Sequence, residues 1–364
     1  MILWNSATCW GRLIARANHS ESMTRPSLKI DIHSHLLPGQ WPDFNGNRNL
    51  GFPVLEEDGE KRNIMINGEF FRAVSSTSWD VEERIGLYEK SGVQVQVVCT
   101  VPVLFSYHLP LDPAESFIRF LNDHIAEQQS LHRDRVIALG TLPLQDADAS
   151  IREIERCRDL GLAGFQIGSN INGRNLDDPE LFRVFEAMVE KDMAVMIHPW
   201  QMMGTDQMPR YWLPWLVGMP AELTRAICCM IFGGVHERLP GLRVCYAHGG
   251  GSFPFTIGRI EHGFRMRPDL VATHNKVNPR EYLKRFWIDS VTHDPQALAY
   301  LLDVVGEDRI ALGTDYPFPL GEQEPGSVID ALDLPEPTRQ KLFWKNALDW
   351  LKLPEDRFIT KSAQ

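Results

Sequence analysis

The sequence has few cysteines, and no two of its six cysteines stand in the C-x-x-C spacing of zinc ribbons and dithiol redox sites. Cys99, Cys229 and Cys245 lie in apolar runs that are typical of a protein core. Disulfide frameworks belong to oxidising compartments, whereas isolated buried thiols are typical of reducing ones. The cysteines therefore predict reduced thiols in an intracellular, cytoplasmic protein.

The sequence also lacks a long apolar run and a cluster of basic residues. Its longest apolar stretch, 226–235, is much shorter than the roughly 20 residues that cross a bilayer, and it suits a buried helix. The net charge is −11, and no segment supplies the clustered Lys and Arg that a phosphate-binding face requires. Membranes and nucleic acids are therefore not expected partners, and a small molecule is the expected ligand.

Apolar β-rich runs alternate with helical patterns along most of the 364 residues, as in repeated βα units. This length suits one barrel of about 250 residues with insertions. Amphipathic repeats predict outer helices over 149–160 and 179–191. The fold class is therefore predicted as α/β, a (β/α)8 TIM barrel. The eight strands are predicted over 28–35, 93–101, 136–142, 163–168, 194–199, 242–248, 286–290 and 309–315.

Two regions depart from this alternation. Residues 1–26 lack apolar periodicity, so we expect an appended, disordered extension ahead of a barrel over 27–364. An upstream start before Met23 explains the extension as well, and a cleaved targeting signal is the less favoured alternative. Residues 41–78 are rich in Gly, Asn and charge and predict a small β-hairpin insertion over the barrel mouth after the first strand. Further loops are predicted on that face over 205–215 and 249–267.

Polar residues stand at the ends of the predicted strands, where a TIM barrel carries its catalytic groups. His33 and His35 are two apart on one strand, so both imidazoles project to the same side and can bind one metal ion. His198 and Asp315 end later strands and complete a set of three histidines and one aspartate. Taken singly, His198 could be a core histidine and Asp315 a helix cap. Together the four predict a site for one metal ion, with zinc favoured and iron, manganese or cobalt as alternatives.

The predicted fourth strand reads GFQIG over 164–168 and lacks the lysine that often bridges two metal ions after carbamylation. A single ion is therefore the simpler prediction, and His248 at the end of the sixth strand is left for proton transfer. A metal-bound water has a pKa near 7, which an imidazole matches. His248 is predicted as the general acid and base. The glycines that follow it suit a strained turn close to a ligand.

From residue 29 to the C-terminus the chain resembles the amidohydrolase superfamily, in particular its metal-dependent, non-oxidative decarboxylases. The motifs at 211–220 and 313–321 are more specific than the metal ligands, which many members share. The motifs that carry the resemblance are KIDIHSH at 29–35, TVPVLFSY at 100–107, HPW at 198–200, YWLPWLVGMP at 211–220, AHGGG at 247–251 and GTDYPFPLG at 313–321.

The resemblance implies one zinc ion per subunit held by His33, His35, His198 and Asp315, with His248 as the catalytic histidine. It implies decarboxylation of a semialdehyde that bears two carboxylates, in tryptophan catabolism. Two carboxylates require cationic forks that bind them with paired hydrogen bonds. The resemblance further implies a homodimer in which Arg259 reaches the neighbouring subunit's pocket. The implied substrate-binding residues are Arg72, Arg259, Arg267, Trp215, Phe71 and Phe318.

Three alternatives share these residues. A related decarboxylase of aromatic acids, of the resorcylate or carboxyvanillate type, would use the same ligands and His248. A lactone or amide hydrolase would use the same water as a direct nucleophile. A barrel retained only as a binding module is disfavoured, because all five active-site groups are present.

Overall fold

The structure, a computed structural model, describes residues 28–42 and 51–358. The predicted extension over 1–26 lies outside the described residues, as does the part of the insertion over 43–50. Among the described residues, eight parallel strands follow one another around a barrel, each near a predicted one. These are β1 (Ile30–Leu36), β5 (Val95–Thr100), β6 (Val136–Gly140), β7 (Gly164–Gly168), β8 (Ala194–His198), β9 (Val244–Tyr246), β10 (Trp287–Asp289) and β11 (Ile310–Ala311).

The barrel closes where β1 meets the chain that follows β11. Ile32 N donates to Leu312 O at 2.8 Å, and a parallel bridge joins Ser34 to Tyr316. The TIM-barrel fold class is therefore confirmed. Because all eight strands run in parallel, their C-terminal ends and the residues that follow them meet at one face.

The outer layer consists of helices that bury an apolar stripe against the strands. Both predicted helices are present as α3 and α4, each within two residues of its predicted bounds. The α-helices are α1 (Val81–Lys90), α2 (Leu111–Leu131), α3 (Ala147–Asp159), α4 (Pro179–Glu190), α5 (Met219–Phe232), α6 (Val235–Arg238), α7 (Phe253–Met266), α8 (Pro268–Val271), α9 (Pro295–Val304), α10 (Ser327–Asp330), α11 (Glu336–Gln340) and α12 (Asn346–Leu351).

The insertion after β1 is larger than the predicted hairpin. It forms a three-stranded antiparallel sheet of β2 (Val54–Asp58), β3 (Lys61–Ile66) and β4 (Glu69–Val74). The second turn, Asn67-Gly68, has positive φ at both residues, which a two-residue hairpin turn requires. Ile64 on β3 is fully buried in a hydrophobic cluster that also contains Phe318 and Leu104. This cluster fixes the insertion over the barrel mouth.

The prediction of a loop over 249–267 is wrong for most of that segment. A short turn over 248–250 leads into α7, which begins with Phe253 and Pro254 buried against the barrel. Proline suits the first turn of a helix, where its missing N–H has no partner to lose. The residues 211–215 are also only partly a loop, because a π-helical turn begins at Pro214.

One continuous helix among the described residues, Pro214–Phe232, is long and apolar enough to span a membrane by length and composition. Helices in the core of water-soluble proteins pass the same test. Its first turn, Pro214–Gly218, is π-helical, a form that is frequent at functional sites. Further along, Leu223, Ile227 and Met230 are fully buried in the main core. The helix therefore joins the barrel mouth to the core.

Candidate metal centre and active site

Four side chains from two strands and one loop converge at the C-terminal face of the barrel. Each of His33, His35, His198 and Asp315 offers one ligand atom, and these four atoms all lie within 4.8 Å of one another. His33 and His35 are fully buried, and the other two are at most 6% exposed. The structure thus brings together the ligand set that the sequence predicted.

Each imidazole forms a hydrogen bond through its Nδ1 atom, which leaves Nε2 to face the cluster. His33 Nδ1 lies 2.7 Å from Asp289 Oδ2, and His35 Nδ1 lies 3.1 Å from Thr100 O. His198 Nδ1 lies 2.9 Å from Pro199 O. Its Nε2 is buried with no hydrogen-bond partner among the described residues. A histidine that binds a metal usually donates its other N–H in this way, so the geometry fits a divalent metal ion.

Asp289 has a role that sequence reasoning missed. Its carboxylate is fully buried, faces His33, and accepts the backbone N–H groups of His248 and Gly249 at 2.9 Å each. It therefore fixes one predicted ligand and the turn that carries His248, the predicted catalytic histidine. Its place at the end of β10 was the available signal, but no spacing rule pairs it with a residue 256 positions away.

Asp31 is a second buried carboxylate whose role the sequence did not indicate. It accepts from His33 N at 3.0 Å, from Thr314 Oγ1 at 2.6 Å and from the hydroxyl of Tyr88 at 2.9 Å. Burial raises its pKa to about 6, against the opposing effect of these hydrogen bonds. Asp31 thus joins β1 to the segment after β11, directly behind the metal ligands.

The electrostatics of the ligand cluster favour bound positive charge. Burial acts to raise the pKa of Asp315, but the surrounding imidazoles, first His248 and then His35, hold it well below its usual range. Burial lowers the pKa of His198 well below its usual value, and the neighbouring imidazoles lower it further. The cluster therefore presents an ionised carboxylate beside a neutral imidazole, the protonation states in which these groups bind metals.

His248 stands beside the ligands without belonging to the set. Its Nε2 lies 3.5 Å from Asp315 Oδ2, and its ring centroid is 5.3 Å from that of His33. His248 has φ of +51°, and Gly249, Gly250 and Gly251 all have positive φ. A Cβ on Gly251 would lie 2.4 Å from Pro220 O, so this turn requires glycine.

A cavity of about 460 Å³ opens above the ligand cluster. Its wall is mainly apolar and includes the ligands His198 and Asp315 together with His248. Four of the six predicted substrate-binding residues line it: Phe71, Arg72, Trp215 and Phe318. A cavity of this size suits a small organic molecule.

Arg72, on β4, is the cationic group of this wall. Its guanidinium carbon lies 4.5 Å from the centre of the Phe318 ring, and it forms no ion pair with any described residue. Burial lowers its pKa, while the charge of Asp315 acts to raise it. A half-buried guanidinium without a carboxylate partner is suited to bind an anionic ligand.

The other two predicted arginines do not line the cavity of their own chain. Arg259 is exposed on α7 and forms no ion pair with the described residues. Arg267 is exposed at the end of α7, where its Nη2 lies 2.7 Å from Asp269 Oδ2. The structure therefore leaves Arg259 free to contact another molecule, whereas the charge of Arg267 is already paired.

The amidohydrolase family model matches residues 30–353. The chain is 52% identical over 337 residues to 2-amino-3-carboxymuconate-6-semialdehyde decarboxylase of Dictyostelium discoideum, covering 92% of this chain and 94% of the relative.

Two solved structures share the fold. The apo form of Metarhizium anisopliae IDCase has a TM-score of 0.77 and 23% identity, over 92% of this chain and 99% of its own. 5-carboxyvanillate decarboxylase of Novosphingobium aromaticivorans, complexed with manganese and a nitrobenzoic acid, has a TM-score of 0.65 and 28% identity, over 76% and 81%. The chain therefore belongs to the amidohydrolase superfamily and, within it, to the family of metal-dependent decarboxylases that includes 2-amino-3-carboxymuconate-6-semialdehyde decarboxylase.

Proposed function

We propose that this enzyme removes one carboxylate of 2-amino-3-carboxymuconate 6-semialdehyde as carbon dioxide, without oxidation, to give 2-aminomuconate 6-semialdehyde. The proposal places it in the kynurenine pathway of tryptophan catabolism, where this reaction diverts flux from quinolinate. Its support is the 52% identity to a decarboxylase of that name. The observation that carries it at the site is Arg72, an unpaired cation over the ligand cluster, suited to a carboxylate.

We further propose zinc as the metal, one ion per subunit, held by the three histidines and Asp315. Imidazole-rich sets of four ligands suit zinc, although manganese accompanies a structural neighbour. When bound, the metal supplies Lewis acidity and a nucleophile at neutral pH.

The protein's own groups account for the remaining steps. His248 takes a proton from the attacking water, whose hydroxide adds to the substrate double bond next to the carbon that bears the leaving carboxylate. His248 then returns the proton to that carboxylate-bearing carbon. Loss of carbon dioxide leaves an electron pair that re-forms the double bond and expels the hydroxide. Arg72 holds a carboxylate so that the breaking bond stands out of the conjugated plane, while Phe71 and Phe318 wall the flat chain.

We also propose an active homodimer in which Arg259 enters the cavity of the neighbouring subunit. Arg259 has no ion-pair partner among the described residues. Apolar side chains are exposed nearby: Phe255, one turn before Arg259, is 51% exposed, and Leu216 and Val217 are 50% and 53% exposed. Phe255 and Leu216 also line the cavity. A second subunit would cover this surface and complete the cationic lining. In this arrangement Arg267 and Trp215 lie near the shared pocket and contact substrate.

The test of the reaction follows loss of freshly generated 2-amino-3-carboxymuconate 6-semialdehyde and release of carbon dioxide in parallel. Zinc-loaded protein and a chelated control are compared. Metal-dependent loss with equal release of carbon dioxide is expected. No turnover of this substrate, together with decarboxylation of 5-carboxyvanillate or a resorcylate, would move the assignment to the aromatic-acid decarboxylases. Ester or amide cleavage without carbon dioxide would indicate a hydrolase.

The test of the dimer mixes two inactive variants, His248→Ala and Arg259→Ala. In a mixed dimer one cavity combines an intact His248 with an intact Arg259 from the neighbour. Random exchange is expected to restore about a quarter of the wild-type rate, as two-fold symmetry dictates. A mixture that stays as inactive as its components would show that Arg259 acts within its own chain.

A further inference from the structure

One buried carboxylate joins two segments of the cavity wall without lining the cavity itself. Glu222, on α5, is fully buried and does not line the cavity. Burial of a carboxylate is costly unless several donors satisfy it, so its contacts indicate what it holds. The two wall segments are the loop after β8, with Pro199, Trp200, Gln201 and Met202, and the start of the helix Pro214–Phe232, with Trp215, Leu216, Met219 and Pro220.

The carboxylate of Glu222 accepts hydrogen bonds from four groups. The backbone N–H of Met203 donates to Oε2 at 3.1 Å. Ser169 Oγ and Asn170 Nδ2 donate to Oε1 at 3.0 Å and 2.9 Å. The guanidinium of Arg225, three residues further along α5, also donates to Oε1. Glu222 therefore binds the loop after β8 directly at Met203, and it binds the loop after β7 through two side chains.

The same two side chains fix the loop after β8 at a second point. The backbone N–H of Trp200 donates to Ser169 Oγ at 3.0 Å. The carbonyl of Trp200 accepts from Asn170 Nδ2 at 2.7 Å. The peptide groups on both sides of the Trp200 Cα atom are thus bound to side chains that Glu222 orients.

The backbone between these two points is strained. Trp200 and Met203 are both tied to the network of Glu222, with only Gln201 and Met202 between them. Gln201 has φ of +45°. Such a left-handed backbone is uncommon for a residue with a side chain, and it persists where the surrounding contacts enforce it. Removal of the contacts to Glu222 should therefore let this part of the cavity wall relax.

The loop after β8 also packs tightly on the start of the helix. A Cβ on Gly218 would lie 3.0 Å from the Cβ of Met202. Gly218 ends the π-helical turn Pro214–Gly218, where the absence of a side chain lets the loop approach closely. The helix thus holds the loop at two points four residues apart, by packing at Gly218 and by hydrogen bonding at Glu222.

We propose that Glu222 is a positioning residue for substrate binding. Its carboxylate holds the loop after β8 against the helix and so sets the shape of the cavity wall that both segments form. The effect falls on substrate affinity, because the wall contacts the substrate whereas Glu222 is closed off from the cavity. The metal ligand His198 belongs to β8 and precedes the loop, so it should keep its place. The identity of the substrate rests on the proposed function, but the contacts of Glu222 do not.

The test replaces Glu222 with glutamine, which keeps the size of the side chain but puts an NH2 group where one oxygen accepts. At least one buried donor then faces another donor. KM for the semialdehyde should rise about tenfold or more, because a buried donor without an acceptor costs about this factor. The value of kcat should stay within about twofold and the metal content should stay unchanged. Amide hydrogen exchange over 199–203 should become faster, which reports release of the loop.

Glu153→Gln is the matched control. Glu153 is also a buried carboxylate on a helix, α3, and it accepts from an asparagine and from the arginine three residues further on. Asn122 Nδ2 and Arg156 Nη2 each lie 2.7 Å from its Oε1, and none of the three residues lines the cavity. The control should lower the thermal unfolding midpoint by an amount similar to Glu222→Gln and leave KM unchanged. The comparison separates an effect on the wall from a general loss of stability.

Ser169→Ala is a second variant, which carries the test if Glu222→Gln fails to fold. It keeps the carboxylate but removes the acceptor of the Trp200 N–H, so KM should rise here as well. In the double variant KM should rise by less than the product of the two separate increases, because both groups act in one network.

An affinity measurement makes the test independent of turnover. Benzene-1,3-dicarboxylate carries two carboxylates on a flat carbon framework, and calorimetric titration gives its Kd. This Kd should rise about tenfold in Glu222→Gln and stay unchanged in Glu153→Gln. If the enzyme fails to turn over the semialdehyde, the proposed function fails, and the titration alone decides about Glu222.

Three results would overturn the role of Glu222. The first is a wild-type KM and Kd in both Glu222→Gln and Ser169→Ala. The second is an equal rise of KM and Kd in Glu153→Gln, which would show a general effect of lost stability. The third is a rise that accompanies loss of metal, which would place the effect at the ligands and not at the wall.

Discussion

The metal-ligand floor (His33, His35, His198 and Asp315) and the proposed substrate-binding rim (Arg72 and Trp215 of one chain with Arg259 of the neighbouring subunit) are built on opposite principles. Every floor group is buried, and each imidazole is oriented by a hydrogen bond at its Nδ1 atom. The two rim cations have no ion-pair partner among the described residues, and they stand on an insertion and on an outer helix. The floor is thus complete within one chain, whereas the proposed function has the rim completed by substrate and by a neighbouring subunit.

The difference shows how a single barrel divides its tasks. A metal site needs ligand positions fixed to fractions of an ångström, which strand ends supply because the surrounding sheet holds them. Substrate choice changes more readily in segments added to the barrel, where a substitution does not disturb the ligands. Changes in the floor should therefore abolish the chemistry, and changes in the rim should alter affinity.

His198→Ala should have the largest effect, because it removes a ligand. We expect loss of most bound metal and a fall in carbon dioxide release of about 10³-fold or more. Metal content by mass spectrometry of the purified protein and the release assay check this. The control is His236→Gln, which alters a buried histidine outside the floor and should keep the metal. A His198 variant with one full equivalent of metal and near-normal turnover would contradict the ligand assignment.

Asp289→Asn should have the next largest effect, since it weakens the acceptor that orients His33 and holds the backbone of His248 and Gly249. A loss of about 10- to 100-fold in metal affinity or in kcat is expected, as for other residues that orient metal ligands. Competition with a fluorescent chelator gives the affinity, and kcat at saturating metal separates the two effects. Unchanged values for both would show that the carboxylate is dispensable.

Arg72→Lys tests the rim. Lysine keeps the charge but loses the planar fork, so KM should rise about tenfold or more while metal content stays constant. Arg183→Lys is the matched control, because that cation is exposed on α4, outside the cavity, and paired with Glu180 at 2.7 Å. Exposed pairs contribute about 1 kcal/mol or less, so the control should behave as wild type. Steady-state kinetics of both variants decide the matter. An unchanged KM for the Arg72 variant would remove this arginine from substrate recognition.

The smallest effect on activity, and a distinct effect on stability, is expected from a histidine outside the floor. His236 is buried beside Tyr246, with 2.8 Å between Nε2 and the hydroxyl. Burial lowers its pKa to about 4. The unfolded chain binds a proton below about pH 6.5 that the folded chain rejects, so stability should fall as the pH drops from about 6.5 to 4.

Denaturant unfolding of the wild type and His236→Gln at pH 7 and pH 4 measures this contribution. The wild type should lose about 3 kcal/mol more than the variant between the two pH values, which follows from about 1.36 kcal/mol per pKa unit. Equal losses would show that His236 is protonated in the folded protein. Activity at pH 7 should remain within about twofold of the wild type, because His236 does not line the cavity.

Local sequence pattern determined the eight strands and the ligand set. Apolar runs of about five to seven residues bury themselves as parallel strands in a sheet that is covered on both faces. The alternation of side chains puts His33 and His35 on one side of β1. The end of a strand is a local feature, so the sequence also predicts that His198, His248 and Asp315 lie at the C-terminal ends of strands. The absence of lysine from β7 was sufficient to favour one metal ion.

Only the tertiary structure decided which distant groups meet. Asp289 contacts His33 although the two are 256 residues apart. Glu222 holds the backbone of Trp200 through the side chains of Ser169 and Asn170. Both contacts form because barrel closure brings separate loops together. The third strand of the insertion and the helix α7 were missed since packing on the barrel outweighs their weak local patterns. Periodicity acts over a few residues and can be read along the chain, whereas contacts between polar side chains depend on the geometry of the closed barrel.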